Sequence, residues 1–220
     1  MNFKHPLVLS TTALVVLGIS SITYRALADD AEKKSVFLPV PTVWQAPGNN
    51  WKNPWGNACE EASIAMVAAY YANQKITQAE ANAEILRLVA WEDEVLGHSD
   101  DTNADEIAQL VDATTTFRAY AFSYPTSDDI KHELRERRPV IALVNQFDFY
   151  KKTPSKQSGV SSHVFVVSGY DDTKKQFIIN DPADGKMRWY SYDRLMNALR
   201  DLDDTGEAYG KPVVVFTNPE

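Results

Sequence analysis

The 220-residue sequence contains a single cysteine, Cys59. That excludes an internal disulfide, so the thiol is free or paired with another molecule. One cysteine and the scattered histidines His98, His132 and His163 lack the ligand spacing of a metal site, and there is no Gly-rich phosphate loop. No metal and no cofactor are therefore expected. Positive charge is also scarce. Twenty-two Lys and Arg face thirty Asp and Glu, for a net charge of −8, and the basic residues cluster only in pairs such as Lys33-Lys34, Lys151-Lys152 and Lys174-Lys175. This argues against binding nucleic acid through its phosphates. There is no low-complexity tract and no repeat of solenoid period, which argues against disorder and against an array.

The first residues have the pattern of an export signal. Lys4 and His5 precede an apolar run from Leu7 to Ile22, and Ala26-Leu27-Ala28 supplies the small-x-small site before Asp29-Asp30. Residues 1–28 are expected to be a signal peptide cleaved after Ala28. The alternative is an N-terminal anchor, because the run approaches the lower limit for spanning a bilayer and Arg25 follows it. Either way the rest of the chain is extracytoplasmic, secreted or periplasmic, with membrane contact only through an uncleaved N-terminus. Residues 29–35 read as a linker and 36–220 as one domain, long enough to bury a full core. Residues 1–28 hold two basic residues and no acid, so their removal takes the net charge from −8 to −10. A lone thiol in an oxidising compartment is a liability unless it has a use.

Cys59 stands where a loop rich in Trp, Asn and Pro gives way to an alanine-rich helical pattern. Ala62, Ala65, Met66, Ala69 and Tyr70 fall at the spacing of one helix face, so the helix starts close to Cys59. Unpaired N–H groups and the macrodipole at a helix start favour a thiolate by roughly 0.3–1 kcal/mol, which is one way a thiol becomes a nucleophile. The plainer alternative is a small buried residue that happens to carry sulfur. Further helices are expected from Thr77 to about Trp91, from about Ala104 to Ala113, from Asp128 to Arg138 with Ser127 as cap, and from Ser191 to about Leu202. Strand patterns lie at 117–122, 140–144, 164–167, 177–179, 187–190 and 213–216. Helices first and strands afterwards make an α+β order, with the Cys59 helix packed on a C-terminal antiparallel sheet.

A cysteine nucleophile needs a base. His98 lies in an acidic loop and His132 on a charged helix, whereas His163 opens a buried strand, a rigid mount. His163–Gly169 and Gln176–Asp181 flank a turn and form a hairpin. A register with Tyr170 opposite Gln176 sets Phe165 opposite Asp181. His163 and Asp181 then share a face, while Asn180 points to the other.

Ala58-Cys59-Glu60-Glu61-Ala62-Ser63, Ser162-His163-Val164-Phe165-Val166-Val167-Ser168-Gly169-Tyr170-Asp171-Asp172 and Ile179-Asn180-Asp181-Pro182, with Val40-Pro41 and Gln45 upstream, resemble the double-glycine leader peptidase-like family of papain-like cysteine peptidases. The resemblance spans nearly all of residues 36–220. It implies a papain-like fold with Cys59 as nucleophile, His163 as general base and acid, Asp181 as the orienting group and Gln45 as an oxyanion-hole donor. Glu60-Glu61 stand where transporter-linked members usually have a glycine, and no transporter segments follow, so only the stand-alone form is implied. The resulting expectation is an exported cysteine peptidase acting on a peptide or peptide-like substrate. Alternatives are a catalytically idle binding or accessory module on the same fold, and a cell-wall amidase or acyltransferase. Trp51 and Trp55, in the loop before Cys59, are candidate substrate contacts, with plain packing as the alternative.

Overall fold

A computed structural model describes residues 33–151 and 161–219. The expected signal segment lies outside the described residues.

In chain order, the short strand β1 (Ser35–Phe37) leads through an irregular stretch and two single turns of 3-10 helix to α1 (Cys59–Tyr71), α2 (Gln78–Val95) and α3 (Ala104–Thr114). Strand β2 (Phe117–Ser123), α4 (Ser127–Arg135), β3 (Val140–Asn145) and the five-residue α5 (Gln146–Tyr150) follow. The chain then runs through β4 (Ser162–Asp171), β5 (Gln176–Asp181), β6 (Lys186–Ser191), α6 (Tyr192–Ala198) and β7 (Val213–Pro219). Among the described residues the strands form one antiparallel sheet in the order β2-β7-β3-β4-β5-β6, with β1 paired to the far end of β4. Helix α1 packs on β4 and on α2. This is the expected α+β arrangement of a cysteine-bearing helix on an antiparallel sheet.

The α1 sequence predicts one buried face, yet almost every residue from Cys59 to Val67 is buried. The helix lies between the sheet and α2 and so has little solvent side, which is why its pattern is small and apolar all round. The same placement buries Glu60, Glu61 and Ser63. Helix α4 is capped one residue earlier than expected: Thr126 Oγ1 accepts the Asp129 N–H at 3.2 Å and the Asp129 carboxylate accepts the Thr126 N–H at 2.8 Å. It also ends earlier, because Arg137 adopts a left-handed φ of 62° just before Pro139. Helix α6 stops at Ala198 rather than near 202, where Leu199 bridges to Val144 of β3.

The β4–β5 hairpin carries the most consequential detail. Near the turn Asp171 pairs with Gln176 and Tyr170 with Phe177, one residue away from the predicted register. A bulge between Val167 and Gly169 absorbs one residue, so Val166 pairs with Asn180, and continuing that register puts Phe165 opposite Asp181 as predicted. The two errors cancel at the bulge.

Asn180 faces away from Asp181, and it is not an idle side chain. Buried, it accepts from the Ser168 hydroxyl at 2.5 Å and donates to Val40 O at 2.9 Å and Thr42 Oγ1 at 3.0 Å, tying the segment after β1 to the hairpin. Asn180→Ala strands three partners, two of them buried, and is expected to cost about 2–3 kcal/mol of stability. The urea midpoint should fall accordingly, and an unchanged midpoint would show that the tie contributes nothing.

Candidate active site

Four segments converge at one end of the sheet. Cys59 is the first residue of α1, and the preceding loop doubles back so tightly that a Cβ on Gly56 would lie 2.7 Å from the Trp51 carbonyl oxygen. The Trp44-Gln45 segment is pinned against the corner after β5: Gln45 N–H donates to Pro182 O at 2.9 Å and Trp44 Nε1–H to Ala183 O at 3.1 Å. From the α2 side, Gln78 clamps the Trp44 backbone through bonds of 3.0 and 2.7 Å. Strand β4 delivers His163 and β5 delivers Asp181. Gln45, Cys59, His163 and Asp181 all line a cleft of about 500 Å³, with Trp51, Gly56, Asp101, Tyr150, Ser162, Asp184, Arg188 and Tyr190 among the other walls.

His163 Nε2 lies 2.9 Å from Asp181 Oδ1, and both side chains are buried. The Ala183 N–H donates to the same oxygen at 3.0 Å, and the Tyr150 hydroxyl donates to Oδ2 at 2.5 Å. Burial alone would raise the Asp181 pKa. The hydrogen bond and charge of His163, the Tyr150 hydroxyl and the Ala183 N–H outweigh it and hold the carboxyl at about 2. Asp181 is therefore a carboxylate throughout the physiological range, and it fixes the imidazole with Nδ1 as the remaining nitrogen.

Tyr150 was invisible to the sequence pattern. It ends α5, a helix too short to show a period, capped by Asn145, whose Oδ1 accepts from the N–H groups of Phe147 and Asp148. Phe149 anchors that helix in the core against Phe165 and Tyr190 at centroid distances of 4.8 and 4.7 Å, which sets Tyr150 over the hairpin.

Cys59 is buried, and its thiol donates to Glu60 Oε2 at 3.0 Å; the other Glu60 oxygen accepts the Thr102 N–H at 3.3 Å. The Val164 N–H, one residue along from His163, faces the sulfur. The helix start was expected to favour a thiolate. Instead burial, with the nearby Glu60 and Asp101 carboxyls adding to it, raises the thiol well above its ordinary range, and the Val164 N–H offsets only part of this. The reason is that a macrodipole contribution of under about 1 kcal/mol is smaller than the desolvation of a buried anion beside two acids. Burial and Asp101 likewise push Glu60 up to about 8.

Gln45 stands in the cleft wall, where its Nε2 donates to Trp55 O at 3.2 Å and Gly56 O at 3.4 Å and its Oε1 is buried without a partner. Trp51 is half exposed on the rim, its Nε1 bonded to Asn49 Oδ1 at 2.9 Å. Trp55 is packed against the core instead of lining the cleft. His98 lies apart, 3.5 Å from Glu106, and His132 sits in α4. Among the described residues no group of three or more His, Cys, Asp and Glu is arranged to hold a metal ion.

A helix that begins at a buried cysteine and packs on an antiparallel sheet bearing a His–Asp pair has the architecture of the papain-like class. The family profile described as the Peptidase_C39 like family matches residues 37–203, and the chain belongs to that family of cysteine peptidases. Among solved structures, the chain is similar to a C39-like peptidase candidate from Bacillus anthracis, at 14% identity over 84% of this chain and 98% of that one, with a TM-score of 0.53. Xylellain, a cysteine protease from Xylella fastidiosa, is also similar, at 14% identity over 83% of this chain and 85% of that one, with a TM-score of 0.45. No curated protein matches the chain.

Proposed function

We propose that this chain is an exported cysteine peptidase that cleaves peptide or amide bonds through an acyl-enzyme on Cys59. The observation that carries the reading is the 2.9 Å contact between His163 Nε2 and Asp181 Oδ1 in the cleft that also holds the only thiol. Asp181 accepts the Nε2–H and so leaves the Nδ1 lone pair free to take a proton from Cys59. Because burial disfavours the free thiolate, His163 removes the proton as the sulfur attacks, acting as a general base. The carbonyl carbon gains the C–S bond while its oxygen becomes the oxyanion, held by the Cys59 backbone N–H and by Gln45 Nε2 once it turns from its loop carbonyls. His163 then returns the proton to the departing amine as the C–N bond breaks, leaving a thioester. Water, deprotonated by the same nitrogen, releases the acid and restores the thiol.

The thioester is the distinguishing intermediate. Full-length protein mixed with an activated peptide ester and quenched within seconds should gain the mass of the acyl group, mapped to the peptide holding Cys59. Turnover without an acyl adduct, or an adduct elsewhere, would rule the reading out.

A further inference from the structure

We infer that the cleft wall formed by Asp101 and Ser162 is a subsite for a cationic N–H donor on the substrate, an ammonium or guanidinium group. The inference rests on the peptidase reading and adds a substrate class to it.

A charge inventory of the cleft leads there. Asp181 is satisfied by His163, Tyr150 and the Ala183 N–H. Asp184 holds Arg188 through two parallel contacts, one of 2.9 Å between Oδ1 and Nη1 and a second between Oδ2 and Nη2. Asp101 has no cationic partner of this kind; the Ser162 hydroxyl beside it eases its charge. Its Oδ1 is buried and makes no hydrogen bond, and the neighbouring Ser162, only 8% exposed, has a buried Oγ that makes none either. A buried, unmatched acceptor is costly in a native fold. A carboxylate on a cleft wall with only a loosely placed hydroxyl beside it calls for a further donor from outside, and a positively charged donor suits it best.

The surroundings reinforce the sign. Asp100 adjoins Asp101 and accepts only the Asn57 amide, at 3.2 Å, while Glu207 is taken by the Ser161 hydroxyl. Among the described residues, the basic side chain that acts on Asp101 is His163, the proposed base. Burial, Asp100 and Glu207 raise the Asp101 carboxyl pKa against the opposing pull of the Ser162 hydroxyl and His163, and a bound cation opposes that rise. The wall also adjoins the chemistry, since Asp101 acts electrostatically on both Cys59 and Glu60. The charged group should therefore sit on a residue beside the scissile bond.

The test uses acetylated, amidated alanine pentapeptides with lysine, arginine, norleucine or glutamate at the centre. Binding is measured by calorimetry on the full-length Cys59→Ala protein, and turnover on the wild type. Lysine or arginine should bind at least about tenfold tighter than norleucine, with glutamate weakest, and kcat/KM should follow the same order. Asp101→Asn should bring the ratio to within about threefold. Ser162→Ala should reduce it in part, and serves if Asp101→Asn does not fold. Asp204→Asn, on an exposed turn, should leave the ratio unchanged; an equal loss there would reduce the effect to overall acidity and overturn the subsite. A norleucine peptide with a free N-terminus that binds as the lysine peptide does would assign the subsite to an α-amino group. Equal affinities for lysine and norleucine, or a preference that survives Asp101→Asn, would refute the proposal. Preferential binding without hydrolysis would refute the peptidase reading and leave the subsite standing.

Discussion

Cys59→Ala and His163→Ala are each expected to lower peptide hydrolysis by about 10⁴-fold or more, and Asp181→Ala by roughly 10³–10⁴-fold. In the proposed mechanism the first two remove the atom that is acylated and the atom that carries its proton. The third leaves both in place and removes the acceptor that fixes the tautomer, so Nε2–H loses its partner and Nδ1 is no longer held as the basic nitrogen. Because the three act as one unit, a Cys59→Ala/His163→Ala double variant should be no slower than either single change. Tyr150→Phe keeps the ring contact with His163, at a centroid distance of 5.9 Å, while giving up the hydrogen bond to Asp181 and leaving the Nε2 contact in place, so its loss should be far smaller. Purified, folded variants assayed for kcat and KM separate these cases. Full activity in Asp181→Ala would sink the triad, whatever Cys59 does.

Thermal stability is expected to fall as pH rises from about 5.5 to 8.5. Glu61 of α1 and Glu92 of α2 form a buried carboxyl pair: burial, then the charge of Glu92, raises Glu61 well above the ordinary range, and burial pushes Glu92 up to about 7. Glu60, at about 8, behaves in the same way. In the unfolded chain these carboxyls lose their protons near pH 4.3. Above that pH the folded state binds more protons than the unfolded one, so stability falls with rising pH until the folded carboxyls themselves ionise. The stabilising contribution is complete below about pH 4.3 and is lost through the range of the folded values, about 7 to 8. Asp181 has the opposite sign, but its loss begins only as pH drops below about 4 towards about 2, outside this window. An expected loss of about 2–5 kcal/mol corresponds to a Tm lower by roughly 5–15 °C at pH 8.5 than at pH 5.5. Glu92→Gln, which never ionises, should flatten the profile by calorimetry. A Tm that rises across this range would show that the pair is ionised in the fold.

The elements that were legible in the sequence are those whose side chains repeat a period over several turns or pleats. The capping box at Thr77 and the apolar runs of β3, β4 and β7 carry that information locally, and His163 and Asp181 could be paired because strand alternation is geometric. What was hidden depends on distant packing. The buried acids of α1 look like a solvated face until α2 and the sheet enclose them, and the resulting thiol environment reverses the expectation drawn from the helix start. Tyr150 sits on a helix of five residues, and Trp51 and Trp55 differ only in where an irregular loop turns them. Asp101 lies in an acidic stretch, 92–103, whose composition suggests hydration, yet its own side chain turns into the cleft.

The bulge between Val167 and Gly169 divides the β4–β5 hairpin into two stretches of different register. The half holding His163 and Asp181 takes its alignment from β3 and from the corner at Pro182, while the 172–175 turn is held separately, by Lys131 and Tyr192 on Asp172 and by the Tyr192 N–H on the Lys175 carbonyl. A foreign peptide, an affinity tag or a binding epitope grafted between Asp172 and Lys175 should thus be accommodated before its distortion reaches His163 and Asp181. This turn is the natural attachment point for immobilising the protein on a surface with its cleft intact.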